Sequence, residues 1–183
     1  FEDCRLGVLQ GPLITVLGVA YATAGRSERA DAMFLTMFRR SLVAIDVDVP
    51  ANANGVLYAL AGFSGGITTY MKDGFLNYEF NLFEVQRTKI KSKAKLPLGK
   101  VKVEVESKLA GPIGGPMDIT LRANGEVVGQ GRVPAAMSLH FTSNATFDLG
   151  RDLDSPVSLD YFDQAPFAFN GTIGETRVAY LNK

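Results

Sequence analysis

The sequence predicts an all-β protein, an antiparallel sandwich of the jelly-roll type with one N-terminal helix. Two observations support this prediction: apolar and polar residues alternate along much of the chain, and glycine-containing turns separate the alternating runs. The hydrophobic content is 46%, which is enough to fill one core. No helical pattern lies between the strand-like runs, which excludes an architecture built from parallel βαβ units.

The N-terminal region, residues 1–40, differs from the predicted sandwich at 41–183. The stretch 6–24 is strongly apolar. We expect it either to be buried on the sandwich, with 13–22 as an added strand or hairpin, or to form a homodimer interface. A helix is predicted over 28–40 because apolar residues follow a possible N-cap, Ser27, at helical spacing. These residues are Ala30, Met33, Phe34, Met37 and Phe38.

Strand-like runs follow one another from residue 42 to the end of the chain. The clearest run is 43–49, in which every second residue is valine or isoleucine. Asp73-Gly74 and Asn124-Gly125 each separate two runs, and such dipeptides favour tight hairpin turns. The predicted strands span 42–49, 55–61, 68–72, 75–81, 85–92, 101–108, 118–122, 127–133, 137–142 and 171–181.

Charge and composition argue against several classes of function. The 19 basic and 19 acidic residues balance, so the chain lacks the basic excess of a protein that binds nucleic acid through phosphates. Cys4 is the only cysteine, which excludes an internal disulfide and is compatible with the bacterial cytoplasm or periplasm. His140 is the only histidine, and we expect it on the solvent face of a strand. Without a nucleophile motif near either residue, this chain alone is predicted to be non-catalytic and to need no cofactor.

Aspartates are concentrated in a loop-rich stretch near the C-terminus. Oxygen ligands on an irregular loop are what calcium requires, so this stretch is a candidate calcium site. The alternative is that these residues form turns, where Asp side chains accept hydrogen bonds from nearby backbone N–H groups. Nothing in the sequence places two of the carboxylates opposite each other, as glycoside hydrolysis needs. The candidate metal ligands are Asp148, Asp152, Asp154 and Asp160.

Five basic residues between 87 and 95 share one parity, which on a strand makes a single basic row. Such a row could bind an acidic or sulfated glycan. The alternative is a structural role, in which Glu104 and Glu106 of the next predicted strand pair with the row, or in which lysines protect a sheet edge. The candidate glycan ligands are Arg87, Lys89, Lys91 and Lys93, and Lys95 continues the row.

Several motifs occur in the order found in a known domain. They include Gly55-Val-Leu-Tyr-Ala-Leu60, Tyr70-Met-Lys-Asp-Gly-Phe75, Asn124-Gly-Glu-Val-Val-Gly-Gln-Gly-Arg-Val-Pro134 and Phe169-Asn-Gly-Thr-Ile173. With them, the stretch 41–181 resembles the C-terminal domain of long bacterial arylsulfatases and is similar to laminin-G-like and concanavalin A-like sandwiches. The resemblance implies the sandwich fold and an association with sulfate-ester hydrolysis by a full-length enzyme.

The resemblance does not extend to the sulfatase active site. The family's Cys-x-Pro-x-Arg motif is absent around Cys4, which is followed by Arg5 and Leu6. The resemblance therefore implies a non-catalytic module with a structural or interaction role, whose partner is a sulfatase catalytic domain. Two alternatives stay open, a carbohydrate-binding lectin-like domain and a small glycan-active hydrolase. A lectin needs a shallow aromatic-lined site, whereas a hydrolase needs two convergent titrating groups.

Overall fold

The computed structural model describes residues 4–6, 40–137, 147–153 and 155–180 of the chain. In these residues, strands form two antiparallel sheets that pack face to face, which confirms the predicted all-β sandwich. One short 3-10 helix, Leu159–Gln164, precedes the last strand. The strands are β1 (Cys4–Leu6), β2 (Arg40–Val49), β3 (Gly55–Gly62), β4 (Gly65–Lys72), β5 (Phe75–Leu82), β6 (Gln86–Lys91), β7 (Gly99–Leu109), β8 (Met117–Ala123), β9 (Glu126–Val133), β10 (Phe147–Leu149) and β11 (Thr172–Tyr180).

The two sheets differ in size and in strand order. The six-stranded sheet has the order β1-β11-β2-β7-β8-β9, and the five-stranded sheet has the order β10-β3-β4-β5-β6. In this arrangement β6 and β9 are edge strands. The two edges approach each other, since the backbone N–H of Lys93 donates to the carbonyl of Val128 at 2.8 Å. The residues that follow β6 therefore link the edges of the two sheets.

Two tight hairpins form where the sequence predicts them. Asp73-Gly74 joins β4 to β5, and Asn124-Gly125 joins β8 to β9. All four residues have positive φ, between 52° and 84°. Asx and Gly residues adopt this left-handed conformation at little cost, and the resulting turn matches the twist of the paired strands.

The main core lies between the sheets and follows from the alternation in the strands. Ile45, Val47 and Val49 of β2 point inward beside Val103 and Val105 of β7, and all five are at most 3% exposed. Burying an aliphatic side chain of this size contributes about 1.5–3 kcal/mol. Apolar residues of the five-stranded sheet complete this core, among them Leu57, Met71, Leu76 and Phe80.

A second, smaller core lies on the other side of the five-stranded sheet. It forms because residues 155–169, the covering segment, cross the outward face of that sheet. Tyr161 of this segment packs edge-on against Tyr70 at 5.2 Å between ring centroids and stacks on Phe167 at 5.1 Å. The segment is also bonded through its backbone, since the N–H of Val56 donates to the carbonyl of Phe167 at 2.8 Å. The part of the five-stranded sheet beneath the covering segment is thus buried on both faces.

The structure differs from the sequence prediction in four places. Arg40, expected to end the helix, is the first residue of β2, because its backbone pairs with Lys108 of β7. The three-residue strand β10 and the 3-10 helix were not predicted. β1 lies in the N-terminal region and pairs with β11.

Other sequence predictions fall outside the described residues. They are the helix over 28–39, the added strand at 13–22, most of the strand 137–142, and the position of His140. Among the described residues, no helix is long and apolar enough to span a membrane.

Candidate functional site

A fully buried carboxylate lies on the outward face of the five-stranded sheet. Glu79 points to this face from β5 and is 0% exposed. Arg87 of β6 donates to its Oε1 at 3.1 Å, the Lys89 ammonium lies 3.6 Å from its Oε2, and the hydroxyl of Ser158 donates to Oε2. A buried carboxylate is costly unless it is paired and hydrogen-bonded. These contacts therefore attach the covering segment to β5 and β6.

Asp160 of the covering segment makes a second set of contacts with the five-stranded sheet. Its carboxylate accepts hydrogen bonds from Lys89 and from the hydroxyl of Tyr70, the latter at 2.6 Å, and Lys72 donates to its backbone carbonyl at 2.8 Å. Burial by itself raises the pKa of Asp160, but the hydrogen bonds from Lys89 and Tyr70 outweigh it and lower the pKa. Asp160 is therefore charged near neutral pH.

The third anchor of the covering segment is a buried hydroxyl. The Tyr161 hydroxyl lies 2.6 Å from Oδ2 of Asp152, which is 1% exposed, and 3.0 Å from Oγ1 of Thr68 in β4. The same Asp152 oxygen accepts the backbone N–H of Val157 at 2.9 Å. Burial raises the pKa of Tyr161, and the adjacent carboxylate raises it further, so the phenol stays protonated.

The aspartates predicted as calcium ligands make protein contacts wherever they are described. Asp148 accepts the backbone N–H of Leu153 at 2.9 Å, and Asp152 and Asp160 accept the bonds given above. In the described ranges, no three acidic, histidine or cysteine side chains lie together as a metal-binding group. Asp154 lies outside these ranges. The calcium site stays a prediction.

The structure divides the basic row into two parts. Arg87 and Lys89 lie at its start and are paired with Glu79 and Asp160 on the covered face. Lys91, Lys93 and Lys95 lie at its far end, where none forms an ion pair among the residues that the structure describes. All three are exposed.

The expected pairing of the row with Glu104 and Glu106 is wrong. The chain crosses from one sheet to the other after β6, so these two residues lie on β7 in the six-stranded sheet. There Glu106 accepts from Arg40 at 2.7 Å and from Arg122 at 2.9 Å. Consecutive strands of a sandwich need not be neighbours in one sheet, and the acidic partners of the row come instead from β5 and the covering segment.

The far end of the row surrounds an aromatic ring. Nζ of Lys91 lies 4.0 Å from the ring centroid of Phe75, and Nζ of Lys95 lies 5.9 Å from it. Both distances are within the range of cation–π attraction. We call Phe75, Lys91, Lys93 and Lys95 the basic end.

Backbone and hydroxyl hydrogen bonds fix the loop that holds the basic end. Oγ of Ser92 accepts the N–H of Leu76 at 3.0 Å and donates to the carbonyl of Ala94 at 2.7 Å. The N–H of Leu96 donates to the carbonyl of Gly74 at 2.9 Å. Because Ser92 and Leu96 are buried, the lysines between them project from a rigid loop.

The sequence pattern predicts the basic row but not the residues that pair with its first two members, Arg87 and Lys89. Glu79 is hard to detect because it alternates with aromatic residues in β5, as an exposed acid of a half-buried strand would. Its register opposite Lys89 is the one local signal, and that signal requires β5 and β6 to be paired as a hairpin. Ser158 and Asp160 are about 80 residues away in sequence from Glu79, so only the folded chain brings them to it.

Comparisons with known proteins identify the type of sandwich. No protein-family model matches the sequence, and no curated protein matches it. Solved structures do match: mouse laminin α1 chain domains LG4-5 has 20% sequence identity and a TM-score of 0.52 over 78% of this chain and 36% of that chain. The Ruminococcus gnavus IT-sialidase CBM40 bound to α2,3 sialyllactose has 14% identity and a TM-score of 0.54, over 85% of this chain and 84% of that chain.

A third solved structure matches the same sandwich. A putative carbohydrate binding protein from Bacteroides ovatus is 15% identical, with a TM-score of 0.51 over 80% of this chain and 38% of that chain. At these identities the matches establish the fold, a sandwich of the laminin-G and carbohydrate-binding-module type. They give no link to arylsulfatases.

Proposed function

We propose that this chain is a carbohydrate-binding β-sandwich module and that it binds acidic glycans at the basic end. The observation that supports this proposal is the division of the basic row. Arg87 and Lys89 are neutralised by Glu79 and Asp160, while the other lysines of the row are exposed and without acidic partners in the described part of the chain. A cluster of unneutralised ammonium groups in a fixed loop favours an anionic ligand.

The chemistry of the basic end suits an acidic sugar. Ammonium groups form charge-assisted hydrogen bonds with carboxylate or sulfate oxygens, and such bonds are stronger than neutral ones. The ring of Phe75 adds an apolar surface beside the charges. Because the loop from Ser92 to Leu96 is already held in place, little conformational entropy is lost when a ligand binds.

The solved structures with the same fold favour this proposal over the other readings. Two of them are carbohydrate-binding proteins by their descriptions, and one of these is bound to α2,3 sialyllactose. The hydrolase alternative requires two reachable titrating groups, but Glu79 is fully buried beside Asp160. The role as an accessory domain of a sulfatase depends on the motif resemblance alone.

The proposal is tested by charge reversal with a matched control. K91E/K93E reverses two charges of the basic end, and K100E/K102E reverses two exposed lysines with the same spacing on the outward face of the six-stranded sheet. We expect K91E/K93E to lose retention on a heparin column and binding to an array of sialylated and sulfated glycans, while the control keeps both. Equal loss of binding in the two variants would indicate non-specific attraction. Equal binding by the two variants and the wild type would refute the proposal that the basic end binds acidic glycans.

A further inference from the structure

The loop between β5 and β6 contains residues that rarely adopt its backbone conformation. Phe83 and Glu84 have φ of 49° and 61°, and the N–H of Val85 closes the turn on the carbonyl of Leu82 at 3.0 Å. The other two tight hairpins described above place Asp-Gly and Asn-Gly in this left-handed conformation. Bulky residues rarely adopt it, because their Cβ clashes with the backbone.

Packing does not account for these residues. Phe83 is 46% exposed and Val85 is 87% exposed, so neither side chain is buried in a core. Asn81 holds the strained turn in place: its Oδ1 accepts the N–H of Glu84 at 2.9 Å, and its Nδ2 donates to the carbonyl of Phe63 at 2.6 Å. A strained, exposed turn that is held by a buried side chain is typical of a functional surface.

Further aromatic residues lie at the same end of the sheet. Phe63, in the turn that Asn81 links to Phe83 and Glu84, packs against Phe162 of the covering segment at 5.4 Å between ring centroids. Phe162 is 47% exposed. We call Phe63, Phe83, Glu84, Val85 and Phe162 the aromatic end.

We infer that the aromatic end binds uncharged sugar residues of the same glycan whose acidic group binds the basic end. This inference rests on the proposed function. Strand β6 connects the two ends, and its six residues separate them by about 17 Å. A ligand that touches both ends is therefore an oligosaccharide that lies along β6.

The side chains of the aromatic end match the chemistry of a neutral sugar. The exposed rings of Phe83 and Phe162, together with Val85, offer apolar surface to the C–H face of a pyranose, and the Glu84 carboxylate accepts hydrogen bonds from its hydroxyl groups. A second copy of the chain is a poorer occupant, because a two-fold contact through this tip would bring two Glu84 carboxylates together. Oligosaccharide and dimer are separated by the test below.

The test replaces the turn with residues that suit its backbone. F83N/E84G creates the Asn-Gly pair preferred in such turns, so the melting temperature should rise by about 2–4 °C rather than fall. We expect its affinity for a long oligosaccharide with one terminal sialic acid to fall by about tenfold, while α2,3-sialyllactose binds as before. K91E/K93E should lower the affinity for both ligands.

The possible outcomes separate this inference from the proposed function. Unchanged affinity of F83N/E84G for long acidic glycans would overturn the inference but would not affect the proposal that the basic end binds acidic glycans. Wild-type binding to neutral oligosaccharides alone, lost in F83N/E84G, would refute the basic end and, with it, the inference that one glycan contacts both ends. A wild-type dimer that becomes a monomer in F83N/E84G, without loss of glycan affinity, would contradict the inference in favour of self-association. Absence of binding to every acidic and neutral glycan would overturn both.

Discussion

The outward faces of both sheets carry ion pairs, but among the described residues only the face of the five-stranded sheet is covered by another segment of the chain. On the six-stranded sheet, Arg132 of β9 pairs with Asp118 of β8 at 2.6 Å, and both side chains remain exposed, at 60% and 43%. On the five-stranded sheet, Glu79 pairs with Arg87 at 3.1 Å beneath the covering segment and is 0% exposed. The first face is an open ladder of charges, and the second is an ionic layer inside the protein.

This difference decides which charges matter for stability. An exposed ion pair contributes little, because water and salt screen it. A buried carboxylate has lost its hydration, so removal of one partner leaves the other uncompensated. The pKa of Asp118 is lowered by its hydrogen bond from Arg132, yet both side chains of this pair remain exposed to solvent. We therefore expect mutations on the covered face to have far larger effects than equivalent mutations on the open face.

The largest effect is expected for Glu79→Ala. It leaves Arg87 and the Ser158 hydroxyl without their carboxylate, and breaking a buried pair in this way costs about 3–5 kcal/mol. Urea unfolding followed by circular dichroism measures the loss. Asp118→Ala on the open face is the matched control and should unfold at nearly the wild-type urea concentration. If the two variants were equally stable, the covering segment would not depend on Glu79.

A smaller loss is expected for Tyr161→Phe. The substitution keeps the ring packing against Tyr70 and Phe167 but removes the hydroxyl that contacts Asp152 and Thr68. An unsatisfied buried polar group costs about 1–3 kcal/mol.

The control for this variant is Thr120→Val, which removes a hydroxyl from an exposed hydrogen bond with Gln130 on the open face. The free energy of unfolding of both variants is measured in parallel. Similar losses in the two would contradict the distinction between a covered and an open face.

The smallest of these effects concerns acid stability. The folded-state pKa of Asp160 is lower than its ordinary value of 3.8, so its charged form stabilises the folded protein above about pH 4. This contribution is lost as the pH falls from about 4 through the folded-state pKa. Asp160→Asn should therefore reduce stability at pH 7 and make the decline below about pH 4 shallower. A decline identical to wild type in thermal unfolding between about pH 2 and 7 would contradict this role of Asp160.

Local features of the fold were predictable from the sequence, and long-range ones were not. The alternation over 43–49 and the turns Asp73-Gly74 and Asn124-Gly125 depend on neighbouring residues, and the structure confirms them. The strand β10 has only three residues, and the 3-10 helix has six, so neither repeats a pattern long enough to detect.

The candidate site was predictable only in part for the same reason. Parity placed Arg87, Lys89 and Lys91 on one face, and the register of β6 with β5 agrees with this. The division of the row depends on contacts with Glu79 and Asp160, which follow from the crossing of the covering segment over the sheet. The strain at Phe83 and Glu84 has no sequence signature either, because neither residue is a usual turn former.

The measurement that tests the central claim most directly is an NMR titration of the labelled protein with α2,3-sialyllactose. The amide signals of the loop 91–96 and of Phe75 should shift progressively with ligand, and those of β8 should remain in place. The same titration of K91E/K93E should give no shifts. Shifts confined to the open face around Asp118 and Arg132, or shifts that persist in K91E/K93E, would contradict the proposal that the basic end binds acidic glycans.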